Sequence, residues 1–154
     1  MKNNCLICKR INWIKNDKNP YFVMELKTGY VVIGDYQFYK GYTLFLCKKH
    51  VKELHDLEPN FRKQFLYEMS LVAQAVDKSF KPRKINYELL GNTDSHLHWH
   101  IFPRRKNDPD PLMPIWTIKK SVRENDKTRP NQKILDKLKQ QLKKELTKIA
   151  STQK

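Results

Sequence analysis

Long apolar runs are missing from this 154-residue chain, and no stretch approaches the ~18 consecutive apolar residues that span a bilayer. The first five residues also lack the apolar core of a secretory signal. We therefore expect a cytoplasmic protein with no membrane partner. In that reducing compartment, three cysteines argue against a disulfide framework. Cys5 and Cys8 are then candidates for metal ligands or free thiols.

Acidic residues are scarce, because 16 Asp and Glu stand against 31 Lys and Arg and leave a net charge of +15. Residues 119–154 carry 12 basic and 4 acidic side chains, which gives +8 in that segment alone. This excess favours anionic partners such as nucleotides, nucleic acid or acidic membrane surfaces. A solvated lysine-rich surface explains the basic segment equally well.

The chain is long enough for one globular domain and too short for two of ordinary size. We predict a domain over residues 1–118 and a basic C-terminal segment over 119–154 that contains an amphipathic helix at 130–150. Short β-branched and aromatic runs predict strands at 21–26, 30–33, 42–47, 85–90 and 96–102.

Apolar residues at intervals of three and four predict two amphipathic helices. The first begins at Pro59, where the missing N–H does no harm, and ends near Pro82. The second begins near Asn131, a favourable N-cap, and carries an apolar stripe of Ile134, Leu135, Leu138, Leu142, Leu146 and Ile149. Residues 50–55 predict one or two helical turns, and 9–15 a short helix or an irregular arm. The whole order predicts an α+β fold with a mainly antiparallel sheet of about five strands.

Three of the five histidines, His96, His98 and His100, occupy alternate positions around Leu97 and Trp99. Successive side chains of a strand point to opposite faces at ~3.3 Å per residue. We therefore expect all three imidazoles on one face, ~7 Å apart, with the apolar residues anchoring the other face. This alternation predicts a strand with one catalytic face.

Imidazoles in such a row suit two kinds of chemistry. A neutral imidazole, with a pKa near ~6.5, is a nucleophile and then a leaving group, which splits a phosphoryl or nucleotidyl transfer into two steps. Three imidazoles together also suit a catalytic zinc ion. The residues alone leave open both a nucleophilic histidine and a triple-histidine metal hydrolase.

Residues 96–102, HLHWHIF, are similar to the histidine-triad (HIT) motif His-φ-His-φ-His-φ-φ, in which φ is apolar. The resemblance extends over residues 5–105 and includes residues 40–44, which are like the family's Gly-His-Thr-Leu strand. Tyr42 departs from it, standing where the family usually has histidine. Trp99 and residues 114–116 resemble bacterial HIT hydrolases of the dinucleoside-polyphosphate (Ap4A) type. The resemblance implies a HIT-like α+β fold.

The resemblance also implies a nucleotide hydrolase or nucleotidyl transferase that cleaves at an α-phosphate. His98 would attack phosphorus, His100 would contact the phosphate, and His96 would support the site from behind. Phosphate-contacting groups are expected at Gly91, Asn92 and Thr93, and a ribose-binding carboxylate at Asp35. The family's asparagine near the leaving group has two possible equivalents here, Asn86 and Asn92. The expected substrate is a dinucleoside polyphosphate or a nucleoside phosphoramidate.

A second group of candidate residues consists of Cys5, Cys8, His50 and His96. Two thiolates spaced by two residues, joined by two imidazoles, make a closed tetrahedral structural zinc site. Zinc-bearing members of the family use this pattern, so the resemblance implies zinc as a structural metal, although free thiols remain the alternative. We expect Cys47 to be a small buried residue and His55 to lie on the surface.

A different class of function is a nucleic-acid-binding or DNA-adenylate-removing HIT protein. The basic C-terminal segment and the aromatics of the chain could hold a strand by phosphate contacts and base stacking. Against this reading, the apolar stripe of the C-terminal helix is better explained by packing on the domain. By analogy with the family, we also expect a homodimer.

Overall fold

The computed structural model describes residues 4–152. Its helices are α1 (Leu6–Lys15), α2 (Pro59–Phe80), α3 (Lys120–Arg123) and α4 (Gln132–Ser151). Its strands are β1 (Phe22–Glu25), β2 (Gly29–Ile33), β3 (Thr43–Cys47), β4 (Lys84–Glu88) and β5 (His98–Arg104). The strands form one antiparallel sheet in the order β1-β2-β3-β5-β4. The predicted α+β fold with a five-stranded antiparallel sheet is confirmed.

The two faces of the sheet have different neighbours. One face packs against α2 and α4 through a large apolar core to which Val31, Phe45 and Ile101 contribute. On the opposite face, α1 packs through Ile7 and Ile11 and neighbouring apolar residues onto β2 and β3. Because α1 covers only part of this second face, β5 is left with room for a cavity beside it.

Helix α2 begins at Pro59, as predicted, behind Glu58, whose carboxylate accepts from the N–H groups of Asn60 and Phe61. It ends at Phe80 because Lys81 adopts a left-handed backbone conformation with φ of 47°. The residue after Lys81 is proline, which cannot continue the helix. The predicted length of this helix is therefore correct at both ends.

Helix α4 begins after Asn131, whose side chain accepts from the N–H of Ile134 at 2.9 Å. Its leucines and Ile149 are buried against α2 and β1, as the periodicity predicts. Ile134 was expected on the same stripe, but it is 48% exposed because it lies on the first turn, next to the buried Leu135 and off the packed face. Among residues 4–152, no helix combines the length and the apolar character that crossing a membrane requires.

Four local predictions need correction or completion. The helical turns expected at 50–55 are confined to a single 3-10 turn at Leu54–Asp56. Strand β5 begins at His98 rather than His96, because the N–H of Leu97 turns away to donate to Val51 O at 2.9 Å. Strand β4 ends at Glu88, two residues before the predicted end. Residues 9–15, predicted as a short helix or an irregular arm, belong to helix α1.

A buried carboxylate ties α2 to the β1–β2 turn. Glu68, only 4% exposed, accepts from the backbone N–H groups of Lys27 and Thr28 at 3.0 and 2.9 Å and from Gln64 Nε2 at 3.0 Å. Replacing Glu68 with Ala leaves the buried N–H of Thr28 unpaired and removes the other two contacts, so we expect a loss of about 3 kcal/mol in the free energy of unfolding. Urea titration measures it.

The matched control is Asp77→Ala, which removes an exposed carboxylate from the same helix. It should change the free energy of unfolding by less than about 0.5 kcal/mol. Equal effects of the two substitutions would contradict the assigned role of Glu68.

Candidate active site

A cavity of about 800 Å³ opens on the face of the sheet that α1 leaves partly uncovered. Strand β5 supplies its floor through His98, His100 and Phe102. The walls come from α1, from the loop after β2, from the loop between β4 and β5, and from residues 116–124. The cavity therefore collects residues from both ends of the chain around two of the three triad histidines.

The hydrogen bond of His98 determines which of its ring nitrogens is free. Its Nδ1 lies 2.6 Å from the carbonyl oxygen of His96, so Nδ1 carries the proton and donates. The other nitrogen, Nε2, is left with its lone pair. Burial lowers the pKa of His98, against the opposing effect of the His96 hydrogen bond, and this favours the neutral ring.

His100 is held by Tyr42, whose hydroxyl lies 2.6 Å from His100 Nδ1. The Tyr42 ring stacks on Phe102 with centroids 4.1 Å apart, and Gly34 leaves the space that the ring fills. Burial raises the pKa of Tyr42 and lowers that of His100 to about 3, so both groups are neutral. A phenol O–H is a stronger donor than the N–H of a neutral imidazole, so we assign Tyr42 as the donor to Nδ1, which leaves the proton of the His100 ring on Nε2.

His96 does not share this arrangement, so the prediction of a row of three imidazoles ~7 Å apart on one catalytic strand face is wrong. The rings of His98 and His100 have centroids 4.6 Å apart, whereas His96 precedes the strand and is absent from the cavity lining. Its Nε2 lies 2.8 Å from Cys47 O, and its Nδ1 lies among the side chains of Cys5, Cys8 and His50. The three imidazoles therefore do not converge on one metal position.

The four predicted metal ligands do converge, with donor atoms of Cys5, Cys8, His50 and His96 all within 4.8 Å of one another. Bond lengths of ~2.3 Å to sulfur and ~2.0 Å to nitrogen place tetrahedral ligands ~3.6 Å apart for a sulfur–nitrogen pair and ~3.3 Å for two nitrogens. The Sγ–Nδ1 distances are 3.2, 3.4 and 3.6 Å, and the two Nδ1 atoms lie 3.2 Å apart. The donor set and its spacing fit Zn²⁺.

Hydrogen bonds to the backbone orient two of the four candidate ligands, Cys5 and His96. The N–H of Cys8 donates to Cys5 Sγ at 3.4 Å, at the start of α1. The His96 Nε2–H donates to Cys47 O, which leaves the lone pair on Nδ1, the nitrogen that faces the cluster. Cys47 itself is fully buried, as predicted, and His55 is exposed.

The four residues expected to contact substrate, Asp35, Gly91, Asn92 and Thr93, all line the cavity. Asp35 already has a partner, because both of its carboxylate oxygens accept from the guanidinium of Arg10, one of them at 2.7 Å. Only one of the two candidate asparagines lines the cavity. Asn92 lines the cavity, whereas Asn86 accepts from Arg104 at 2.9 Å outside it. The contacts of these residues with substrate stay predictions.

Four further cavity residues were not singled out as site residues from the sequence: Arg10, Tyr42, Trp116 and Arg123. Nothing in the sequence distinguishes Arg10 or Arg123 from the other basic residues. Tyr42 had a signal, since it departs from the HIT pattern, but its partner His100 is 58 residues away. Trp116 had a signal as well, because residues 114–116 resemble bacterial HIT hydrolases, whereas Arg123 lies in a stretch that reads as a basic segment.

Comparison with known proteins agrees with this geometry. A sequence model of the HIT domain matches residues 17–107, more than half of the chain. The protein named "Protein hit" from Bacillus subtilis is 28% identical over 106 residues, covering 66% of this chain and 71% of its own. A histidine triad protein structure from Sinorhizobium meliloti has a TM-score of 0.71 at 22% identity, over 80% of this chain and 87% of that one.

A zinc-bound histidine triad family protein from Mycobacterium smegmatis has a TM-score of 0.67 at 20% identity, and the match covers 97% of both chains. At these identities the solved structures show the fold. The match to the HIT domain model and the paired histidines of the cavity together show that this chain belongs to the histidine-triad family.

Proposed function

We propose that this protein is a nucleotide hydrolase or nucleotidyl transferase that acts at an α-phosphate through a nucleotidyl-histidine intermediate on His98. One observation carries the proposal. The carbonyl oxygen of His96 lies 2.6 Å from His98 Nδ1 and accepts its hydrogen, and the neutral His98 ring lines the cavity. A nucleophilic imidazole needs this arrangement, because the lone pair on Nε2 must be free while the ring stays neutral.

The reaction has two displacements at phosphorus. In the first, the Nε2 lone pair of His98 attacks the α-phosphorus, an N–P bond forms, and the bond from phosphorus to the leaving group breaks. The leaving group keeps that electron pair and takes a proton from solvent. In the second, a water oxygen attacks phosphorus, the N–P bond breaks and returns its pair to Nε2, and the water proton leaves to solvent. The same intermediate gives transfer if another acceptor replaces water.

His100 stabilises charge on the phosphate in this scheme. Tyr42 donates to His100 Nδ1, so the Nε2–H of His100 is a donor beside His98. Oriented donors in a site with little water stabilise negative charge that develops on phosphate oxygens. Gly91, Asn92 and Thr93 add backbone and side-chain donors on the loop above β5, and Asp35 with Arg10 offers polar groups to a ribose. The substrate is a dinucleoside polyphosphate or a nucleoside phosphoramidate.

We also propose that Cys5, Cys8, His50 and His96 hold a structural zinc ion. The fit of their distances to tetrahedral coordination supports this, and the solved relative from Mycobacterium smegmatis is described as zinc-bound. When bound, zinc supplies a cross-link between α1 and the residues before β5. His96 would then be fixed at both ring nitrogens, and the carbonyl of the same residue orients His98.

His98→Ala should lower the turnover of an adenylylated substrate by at least ~1,000-fold, because no other group in the cavity replaces its lone pair. Steady-state assays with diadenosine tetraphosphate and adenosine 5′-phosphoramidate measure the effect. His55→Ala, which alters an exposed histidine outside the cavity, should stay within about 2-fold of the wild type. A His98→Ala protein with wild-type turnover would overturn the proposal.

Tyr42→Phe keeps the ring that stacks on Phe102 but removes the donor to His100. We expect kcat to fall about 10-fold with KM nearly unchanged, which corresponds to the loss of about 1.4 kcal/mol of transition-state stabilisation. The ¹⁵N shifts of the His100 ring should show a mixture of the two neutral tautomers. Unchanged ring shifts together with unchanged kcat would contradict the role of Tyr42.

Metal analysis of the purified chain should find one zinc ion per chain, and Cys8→Ser should lose most of it, because a hydroxyl does not replace a thiolate ligand. The melting temperature of Cys8→Ser should fall as well. Cys47→Ser removes a thiol outside the cluster and should keep the zinc. Equal zinc content in the two variants would contradict the ligand set.

A further inference from the structure

One wall of the cavity lies beyond the part of the chain that matches the HIT domain, which ends at residue 107. Trp116, Lys120, Arg123 and Glu124 line the cavity from this side. From the sequence these residues belong to a loop and a basic segment, yet in the fold they line the same cavity as α1 and the histidines of β5.

The wall is attached to the domain at both of its ends. Ile115 is fully buried in a cluster with Tyr39 and Phe102, next to the triad strand. Further along, the N–H of Gln37 donates to Thr128 O at 2.7 Å. The Thr128 hydroxyl in turn donates to the carbonyl oxygen of Arg123 at 3.1 Å. Residues 115–128 therefore form a fixed part of the cavity.

The packing of the domain leaves the aromatic ring of Trp116 partly uncovered. The residue is 49% exposed, although the preceding Ile115 is completely buried. The guanidinium of Arg123 lies 5.2 Å from the centroid of the Trp116 ring, and its Nε donates to Ile118 O at 2.9 Å. An aromatic ring beside a positioned guanidinium is a combination that binds a base by stacking and an adjoining phosphate by charge.

The packing of neighbouring elements defines two ends of the cavity. Helix α1, which carries Arg10 to Asp35, packs on Leu46, the β3 partner of His98. Ile115, directly before Trp116, packs against Phe102, two residues beyond His100 on β5. The pair Arg10–Asp35 therefore lies at the His98 end, and Trp116 with Arg123 lies at the Phe102 end.

We propose that Trp116 and Arg123 form a leaving-group subsite that holds the second nucleotide of a dinucleoside polyphosphate. This inference rests on the proposed function, in which the first nucleotide is transferred to His98. The distal base stacks on Trp116, and the phosphate chain between the two nucleosides passes beside Arg123. A nucleoside phosphoramidate has no base in its leaving group and does not use this wall.

The size of the cavity agrees with such a substrate. At about 800 Å³ it lies in the upper part of the range of ~300–1,000 Å³ that is usual for small-molecule sites. In the proposed function, Gly91, Asn92, Thr93 and the Arg10–Asp35 pair bind one nucleotide, and Trp116 and Arg123 take no part in that binding.

Equilibrium binding tests the subsite without turnover. Isothermal titration compares AMP with a diadenosine tetraphosphate analogue whose α,β positions carry methylene bridges and resist cleavage. The wild type should bind the analogue more tightly than AMP. Trp116→Ala should weaken the analogue at least ~5-fold, as expected for loss of one stacked base, and change AMP binding by less than about 2-fold.

Trp13→Ala is the matched control, since Trp13 is 38% exposed and has Lys9 over its ring at 5.2 Å but does not line the cavity. It should change neither affinity. Retained AMP binding shows that Trp116→Ala is folded, and Trp116→Phe should recover most of the analogue affinity. Equal effects of Trp116→Ala on the two ligands, or no preference of the wild type for the analogue, would overturn the subsite.

Failure of the proposed function gives a different result. If the wild type prefers the analogue and Trp116→Ala abolishes the preference, but neither diadenosine tetraphosphate nor adenosine 5′-phosphoramidate is hydrolysed, the subsite stands and the catalytic proposal falls. If both substrates are hydrolysed and Trp116→Ala affects them equally, the catalytic proposal stands and the subsite falls.

Discussion

The hydrogen bond from His98 Nδ1 to the carbonyl oxygen of His96 is the contact on which the site depends. This hydrogen bond links the Cys–His cluster, which contains His96, to the cavity, which His98 lines. The side chain of His96 is fixed between Cys47 O and the cluster, so its carbonyl has little freedom to rotate. The tautomer of His98, the proposed nucleophile, is therefore set by the backbone carbonyl of His96, whose side chain belongs to the Cys–His cluster.

The rest of the fold supports this contact from both sides of the sheet. Helix α2 buries the side of β5 that carries Ile101, and α4 packs beside α2 on β1 and β2, so the triad strand lies against a continuous core. Helix α1 brings Cys5 and Cys8 to His96 and also carries Arg10 to Asp35. The N-terminal helix therefore contributes to the cluster and to the cavity at once. A metal ion bound by the Cys–His cluster would stabilise the cluster and the adjoining cavity together.

Local patterns in the sequence were enough for most elements. Pro59 and the spacing of the apolar residues define α2, and Asn131 marks the start of α4, because caps and periodicity depend on residues close in the chain. The separate role of His96 was reached only through the family resemblance. Strand alternation alone placed His96 beside His98 and His100. It could not reveal the hydrogen bond from Leu97 N–H to Val51 O, with which the chain enters β5 only at His98.

Long-range pairing accounts for what the sequence did not reveal. Tyr42 and His100 meet across the β3–β5 pairing, and Arg10 reaches Asp35 from a helix 25 residues earlier. Trp116 joins the cavity because Ile115 is buried next to Phe102. None of these contacts has a local signature. The candidate histidines, Asp35 and the wall at 91–93 were therefore predictable from the family resemblance, whereas the contacts of Arg10, Tyr42 and Trp116 required the fold.

Attack on phosphorus by the Nε2 atom of His98 is the step on which the proposed function rests. A P–N bond is labile in acid and stable in alkali, so the intermediate is formed on protein with ¹⁵N-labelled histidine and quenched by denaturation at alkaline pH. It is then examined by ³¹P NMR and mapped to one peptide by mass spectrometry. We expect a phosphorus–nitrogen coupling to Nε2 of His98. An adduct on Nδ1, an adduct on another residue, or turnover without any histidine adduct would contradict the proposed mechanism.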